Sequence, residues 1–136
     1  MTRTQERETA FSIIYETAFF GWENAAERLG TEQEQREFDA AGYIGMAVTG
    51  VADNIDRIDE MIARHTTGWK PERLDRVSMA IMRLSVYEMI CRDDIPCSVS
   101  INEAVELGKK YGADNAPKFI NGVLSAVAET AGLKTK

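Results

Sequence analysis

The sequence predicts an all-helical protein of about seven helices. Apolar residues recur at three- and four-residue spacing through most of its 136 residues, and no segment shows the two-residue alternation of a half-buried strand. The breaks between periodic segments are short, as expected for helices that follow one another directly. A chain of this length buries enough surface to fold without a cofactor or a disulfide. We therefore expect a single all-α domain over residues 1–136.

The first half of the chain predicts four helices. Apolar stripes indicate one helix over 11–19, a short one over 23–29, a third over about 35–53 and a fourth over 55–62. Gly68 is placed to end the fourth helix or the turn after it, because glycine readily adopts the left-handed conformation found at helix ends.

The second half predicts three more helices. The segment 69–90 has Pro71 at a favourable first-turn position, and its apolar residues point in nearly every direction, so we expect other helices to surround it. The stretch Ser-Ile-Asn-Glu at 100–103 matches a capping box and predicts the start of the next helix. Gly112 suits a left-handed cap that ends this helix, and the last helix can begin at Asp114.

The segment KFINGVLSAV, residues 118–127, carries two conflicting signals. Asn-Gly between apolar residues is typical of a β-hairpin, whereas the apolar residues have helical spacing. The helix start at Asp114 decides for a helix with Gly122 in its interior. A glycine there costs about 1 kcal/mol relative to alanine, so its presence needs a reason.

Composition excludes several classes of protein. The net charge is −6, with −7 over residues 1–68 and +1 over residues 69–136, which argues against a general nucleic-acid binder. Cys91, Cys97 and the single histidine match no metal-binding spacing, and no common catalytic motif is present. We expect no metal, no cofactor and no catalytic site, and two ordinary buried or half-buried thiols.

The absence of a signal-peptide pattern or long apolar run predicts a cytoplasmic protein that does not span a membrane.

One candidate binding stripe lies on the last helix. Asn115, Lys118, Phe119 and Gly122 recur at i, i+3, i+4 and i+7, near the N-terminus of that helix. A lysine, an asparagine and an edge-exposed aromatic beside bare backbone suit a phosphate and a stacked base. The alternative is that Phe119 belongs to the core and Gly122 only admits a neighbouring helix.

A second candidate is the N-terminal pair Arg3 and Arg7, which extends the stripe of the first helix. Cations at a helix N-terminus oppose the macrodipole, so this pair breaks a local rule, and such departures can mark function. The alternative is a frayed terminus, which tolerates almost any residue.

The segments MAIMRLSVYEMI, IPCSVSINEAVELGKKYGAD and KFINGVL resemble the C-terminal half of the NusB family of bacterial transcription antitermination factors. RETAFSIIYE resembles the first helix of that family. The resemblance implies a NusB-like fold with two small helical subdomains, about 1–68 and about 69–136. It also implies a non-enzymatic factor that binds the boxA segment of ribosomal RNA transcripts together with NusE, a small-subunit ribosomal protein, and helps RNA polymerase read through terminators.

The resemblance also implies which residues make these contacts. The expected RNA-binding residues are Arg3, Arg7, Asn115, Lys118, Phe119 and, from the stripe above, Gly122. The expected NusE-binding residues are Tyr15, Ser78 and Arg83. Where relatives have a dense arginine cluster, this chain has TRTQERE. Two other interpretations therefore remain open: a protein-interaction adaptor that has lost RNA binding, and a homodimer that hides the RNA surface.

Overall fold

The computed structural model describes residues 1–36, 38–69 and 74–132, and these residues form seven α-helices, one short 3₁₀ helix and no strand. The predicted all-α class is confirmed. The helices, in chain order, are α1 Arg3–Phe20, the 3₁₀ helix Trp22–Asn24, α2 Ala25–Arg36, α3 Tyr43–Asp53, α4 Ile55–Ala63, α5 Arg76–Cys91, α6 Cys97–Tyr111 and α7 Ala116–Thr130.

Helix α5 is the centre of the fold. It contacts α1, α3 and α4 as well as α6 and α7, so helices cover it from several directions. Ile81, Met82, Leu84 and Val86 are all buried, although they point to different sides of the helix. The predicted surrounded helix is therefore confirmed. Helices α1, α2 and α3 pack on one another, and α6 packs on α7; a division into two subdomains near residue 69 stays a prediction.

Two helix boundaries in the first half differ from the prediction because of local side-chain bonds. The predicted helix over 35–53 begins only at Tyr43, and α2 instead continues to Arg36. The intervening turn is stabilised by Asp39, whose carboxylate accepts a hydrogen bond from the Ala41 backbone N–H at 2.9 Å. An aspartate that binds nearby backbone in this way competes with helix formation.

The capping box predicted at 100–103 is wrong. Helix α6 already begins at Cys97, with Pro96 at its N-cap position, so Ser100 lies inside the helix. The Ser100 hydroxyl donates to the Glu88 carboxylate at 2.7 Å instead of capping a backbone amide. The predicted left-handed cap at Gly112 is also wrong, because that residue has φ −92° and ψ 174° and is extended.

The start of α5 is later than predicted and that of α7 is close to the prediction. Helix α5 begins at Arg76, about five residues after the first turn predicted at Pro71. Asp75 caps α5 by accepting a hydrogen bond from the Ser78 backbone N–H at 2.7 Å; Pro71 lies outside the described residues. Helix α7 has Pro117 in its first turn, and Asn121-Gly122 lies inside it, so the helical interpretation of that dipeptide is confirmed.

The two thiols have different surroundings. Cys97 is buried, whereas Cys91 is exposed, so the expectation of a buried or half-buried thiol is wrong for Cys91. Both are free. Among residues 1–36, 38–69 and 74–132, no group of His, Cys, Asp and Glu side chains is arranged to hold a metal ion, and no helix is long and apolar enough to cross a membrane.

Candidate RNA and partner interface

A buried polar cluster, here called the Glu88 cluster, joins four helices. It consists of Arg7 on α1, Tyr43 on α3, Glu88 on α5, and Ser100 and Glu103 on α6. Arg7 donates to Glu88 from Nε at 2.8 Å and from Nη2 at 3.3 Å, and to Glu103 from Nη1 at 3.1 Å. The Tyr43 and Ser100 hydroxyls also donate to the Glu88 carboxylate. Both oxygens of the carboxylate are therefore satisfied by neighbours inside the fold.

Burial makes these hydrogen bonds necessary for the fold. Arg7 is 6% exposed and Glu88 is 1% exposed, and an unpaired charge at such positions would be costly. Burial alone would lower the pKa of Arg7, but the hydrogen bond and charge of Glu88 outweigh it and raise that pKa above its usual range. Burial, together with the charge of Glu88, raises the pKa of Tyr43 well above its usual value.

The predicted RNA-binding role of Arg7 is therefore corrected to an internal one. Its guanidinium is occupied by Glu88 and Glu103 and is not available to a phosphate. Arg3 differs, because its side chain is partly exposed. It pairs with Glu6 at 3.2 Å, and its guanidinium lies 4.5 Å from the centre of the ring of Tyr43, a member of the Glu88 cluster. Of the two predicted arginines, only Arg3 lies at the surface.

The stripe on α7 is divided between surface and core. Asn115, Lys118 and Gly122 are exposed, and no described residue pairs with the Lys118 ammonium group. Asn115 occupies the N-cap position without making a side-chain capping bond. The exposed Asp114 precedes it and reduces the positive potential at this helix end.

Phe119, by contrast, is 0% exposed. The predicted role of Phe119 as an edge-exposed, base-stacking residue is therefore wrong, and the alternative that it belongs to the core is correct. Trp69 packs on it, with the ring centres 5.0 Å apart and the ring planes at 74°. The indole of Trp69 is half-buried, so part of it remains at the protein surface beside the buried Phe119.

Trp69 is held there by a turn that the sequence pattern only partly reveals. Its backbone N–H donates to the Thr66 carbonyl at 3.1 Å, and Gly68 has φ +92°, a conformation that favours glycine. The isolated Gly68 was recognisable as a breaker. Nothing in the spacing of the sequence, however, connected Trp69 with residues 50 positions later.

The residues predicted to contact a partner lie in different environments. Tyr15 is half-buried between Phe11 and Phe19, at ring-centre distances of 6.4 and 5.2 Å. Arg83 is held by Asp59 through hydrogen bonds of 2.8 and 3.1 Å. Ser78 is buried, and its hydroxyl has no hydrogen-bond partner among the described residues. Ser78 is therefore corrected from a contact residue to an interior one.

An exposed aromatic surface at the end of α1 was not predicted. Phe19 is 52% exposed and Phe20 is 56% exposed, although Phe19 belongs to the apolar stripe that predicted the first helix. The Arg76 guanidinium lies 4.3 Å from the centre of the Phe19 ring, and the Arg28 guanidinium lies 4.5 Å from that of Phe20. We call these four residues, with the neighbouring Tyr15, the Phe19 patch. Its contacts are those of cation–π pairs at a surface.

Comparison with known proteins places this chain in a family. The model of the NusB family matches residues 4–129. This chain belongs to the NusB family. It is 44% identical to transcription antitermination protein NusB of Bacillus licheniformis over 127 residues, which cover 93% of this chain and 96% of that protein. It is 40% identical to the protein of the same name from Agathobacter rectalis over 131 residues, covering 94% of this chain and all of that protein.

Solved NusB structures share the fold. In a crystal structure of the antitermination factors NusB and NusE in complex with double-stranded RNA, one chain matches with a TM-score of 0.79 and 31% identity, covering 96% of this chain and 99% of that one. The solution structure of NusB from Aquifex aeolicus matches with a TM-score of 0.77 and 33% identity, covering 98% and 94%.

Proposed function

We propose that this chain is a transcription antitermination factor that binds boxA-type single-stranded RNA of ribosomal transcripts together with a NusE protein, as part of an RNA polymerase antitermination complex. The observation that carries the proposal is the likeness, over nearly the full length of both chains, to a protein solved with NusE and RNA. In this role the chain acts in the bacterial cytoplasm, binds its partners and catalyses no reaction.

The proposed RNA surface contains few cations. Arg3 and Lys118 are the two predicted cations that remain accessible. The N-terminus of α7 adds at most the backbone N–H of Lys118, because the Ala116 N–H donates to the Ala113 carbonyl and Pro117 has no N–H. Lys109 and Lys110 extend the surface from the end of α6, but they already pair with Glu106 and Glu8. Two or three phosphate contacts give a salt slope of only about −1 to −2 on single-stranded RNA.

The proposed NusE surface is the Phe19 patch together with Arg83. Exposed aromatic side chains next to arginine are the residue types enriched where proteins bind each other. The two phenylalanines are adjacent in sequence and both more than half exposed, so a partner that covers them removes apolar surface from water. Because the chain supplies few phosphate contacts, we expect NusE to tighten RNA binding.

The test is a titration of labelled boxA RNA, followed by fluorescence anisotropy, with and without a NusE protein. We expect weak binding by the chain alone and tighter binding with NusE. Lys118→Ala should weaken binding to all RNA sequences alike and reduce the salt slope by nearly one contact. Arg64→Ala is the matched control, because Arg64 lies beside Thr130 and Ala131 at the opposite end of α7, about 18 Å along the helix from Lys118.

A protein-interaction adaptor without RNA binding is the second candidate. It is favoured by the internal role of Arg7 and by the charge of −7 over residues 1–68, which suits a basic partner protein. The same titration separates the two functions. An adaptor binds NusE, loses that binding in Phe19→Ala, and leaves RNA anisotropy unchanged at every concentration. A homodimer that hides the RNA surface would show instead as a concentration-dependent mass in ultracentrifugation.

A further inference from the structure

The indole of Trp69 lies beside α7, where the sequence predicted an exposed ring from Phe119. The stripe Asn115, Lys118, Phe119 and Gly122 runs along one side of the helix, and Phe119 is the one member of it without exposed surface. The indole of Trp69 covers Phe119 and lies against Gly122. The outermost aromatic ring on this stripe therefore comes from the turn before α5 and not from α7 itself.

Gly122 makes this arrangement possible. A Cβ atom at residue 122 would lie 3.1 Å from Cζ2 and 3.8 Å from Cη2 of Trp69, with no other atom in the immediate surroundings. Only these two carbons at the edge of the indole come close, so the ring meets the helix edge-on. The rest of the ring packs partly against the core, and part of the side chain stays exposed. This contact supplies the reason for a glycine inside the helix.

The indole also lies close to the accessible cation. Lys118 and Gly122 are four residues apart, hence on the same side of α7 and about 6 Å apart along its axis. Trp69 touches Gly122, which places the ring about one helical turn from the Lys118 side chain and two from the N-cap residue Asn115. An aromatic ring about one helical turn from a cation is a combination that binds a base and its phosphate in single-stranded nucleic acid.

We propose that Trp69 is the base-stacking residue of the RNA surface, and that Gly122 gives the edge of the indole room that a Cβ atom would narrow. This inference rests on the proposed function, since it names the residue that binds a base of the same RNA. Trp69 stacks one base with the exposed part of its ring, Phe119 holds the ring through their edge-to-face contact, and Lys118 contacts an adjacent phosphate.

The experiment measures two signals during one titration of the chain and NusE with labelled boxA RNA. Anisotropy of the RNA reports binding, and tryptophan emission reports stacking, because a base on an indole quenches its fluorescence. The sequence contains two tryptophans, so the quench that disappears in Trp69→Phe is the part due to Trp69. We expect quenching and anisotropy to saturate at the same RNA concentration.

Trp69→Ala should weaken RNA binding about 5- to 150-fold, the equivalent of one stacked base. Trp69→Phe keeps a ring at this position and should recover most of the affinity, and the Arg64→Ala control should bind as the wild type. Gly122→Ala should fold, because the neighbour it meets is the edge of a half-buried side chain. It should nevertheless weaken binding modestly, less than Trp69→Ala does, since the added Cβ pushes the edge of the indole by a few tenths of an ångström. Thermal melts of each variant give the folded fraction for which affinities are corrected.

The outcomes are distinguishable. If RNA binds, the emission of Trp69 is unchanged and Trp69→Ala binds as tightly as the wild type per folded molecule, the stacking role is refuted and the proposed function survives. If Trp69→Ala does not fold, the comparison of wild type with Trp69→Phe decides: a quench that is lost in Trp69→Phe supports stacking, and a quench that is the same in both, or absent, refutes it. If the wild-type chain with NusE gives no rise in anisotropy, both the proposed function and the role of Trp69 are refuted.

Discussion

Glu88→Gln tests whether the arginine at the start of α1 is structural. The glutamate accepts two hydrogen bonds from Arg7 and one each from Tyr43 and Ser100. Glutamine has nearly the same shape but only one acceptor oxygen, and its amide group would face donors. The substitution also removes the negative charge from beside a guanidinium that is 6% exposed. Breaking a buried ion pair from one side costs about 3 to 5 kcal/mol, and we expect the free energy of unfolding to fall by that amount.

Urea unfolding monitored by circular dichroism measures this loss. The matched control is Glu106→Gln, the same exchange at an exposed glutamate that pairs with Lys109, for which we expect a change within about 0.5 kcal/mol. The double variant Arg7→Met/Glu88→Gln should lose less than the sum of its single variants, because the second change removes the unpaired charge. A loss below about 1 kcal/mol for Glu88→Gln would refute the internal pairing and return Arg7 to the candidate RNA contacts.

Three further substitutions test the fold and its pH dependence. Phe119→Ala should lower the free energy of unfolding by about 3 to 5 kcal/mol in urea, and an unchanged midpoint would move this ring to the surface. Leu84→Ala should cost about 2 to 5 kcal/mol, because α5 is surrounded, and a loss under about 0.5 kcal/mol would contradict that position. The pKa of Tyr43 is raised in the folded chain. Above about pH 10 the unfolded chain therefore releases this proton while the folded chain keeps it. The free energy of unfolding of the wild type should fall as the pH rises further. Urea midpoints measured upward from neutral pH should fall less in Tyr43→Phe. The remaining loss comes from other groups with raised pKa values, namely Tyr87, Cys91 and Cys97, whose pKa burial raises, and Lys110, whose pKa the hydrogen bond to Glu8 raises. An identical alkaline loss in the two proteins would refute the assignment.

The fold was predictable because its signal is local. Helical spacing identified the helices, and the many-sided apolar pattern of 69–90 identified α5 as the central one. The errors occurred where a polar side chain had two uses. Ser100 and Glu103 have the spacing of a capping box, yet both bind groups on other helices, and the helix begins three residues earlier. Only the packed structure shows which use a side chain takes.

The candidate site was predictable only in part because its contacts are distant in sequence. The exposed positions of Arg3, Asn115 and Lys118 agree with what the sequence suggested. Arg7, however, pairs with a glutamate 81 residues away, and Phe119 is covered by a tryptophan 50 residues before it. A stripe on a helix shows that residues share a face, but it does not show whether another element covers that face.

The pairing of cations with carboxylates in this fold affects how an acidic chain can bind RNA. Arg7, Arg83 and Lys110 are paired with Glu88, Asp59 and Glu8. Electrostatic attraction, which depends strongly on salt, is therefore weak here, and the remaining affinity must come from contacts that salt affects little. A stacked base is such a contact, because its energy lies in the ring faces. A shallow salt slope and a large effect of Trp69→Ala thus have the same cause, the small number of cations available to RNA. A slope beyond about −5 would require a basic surface that the described residues do not form.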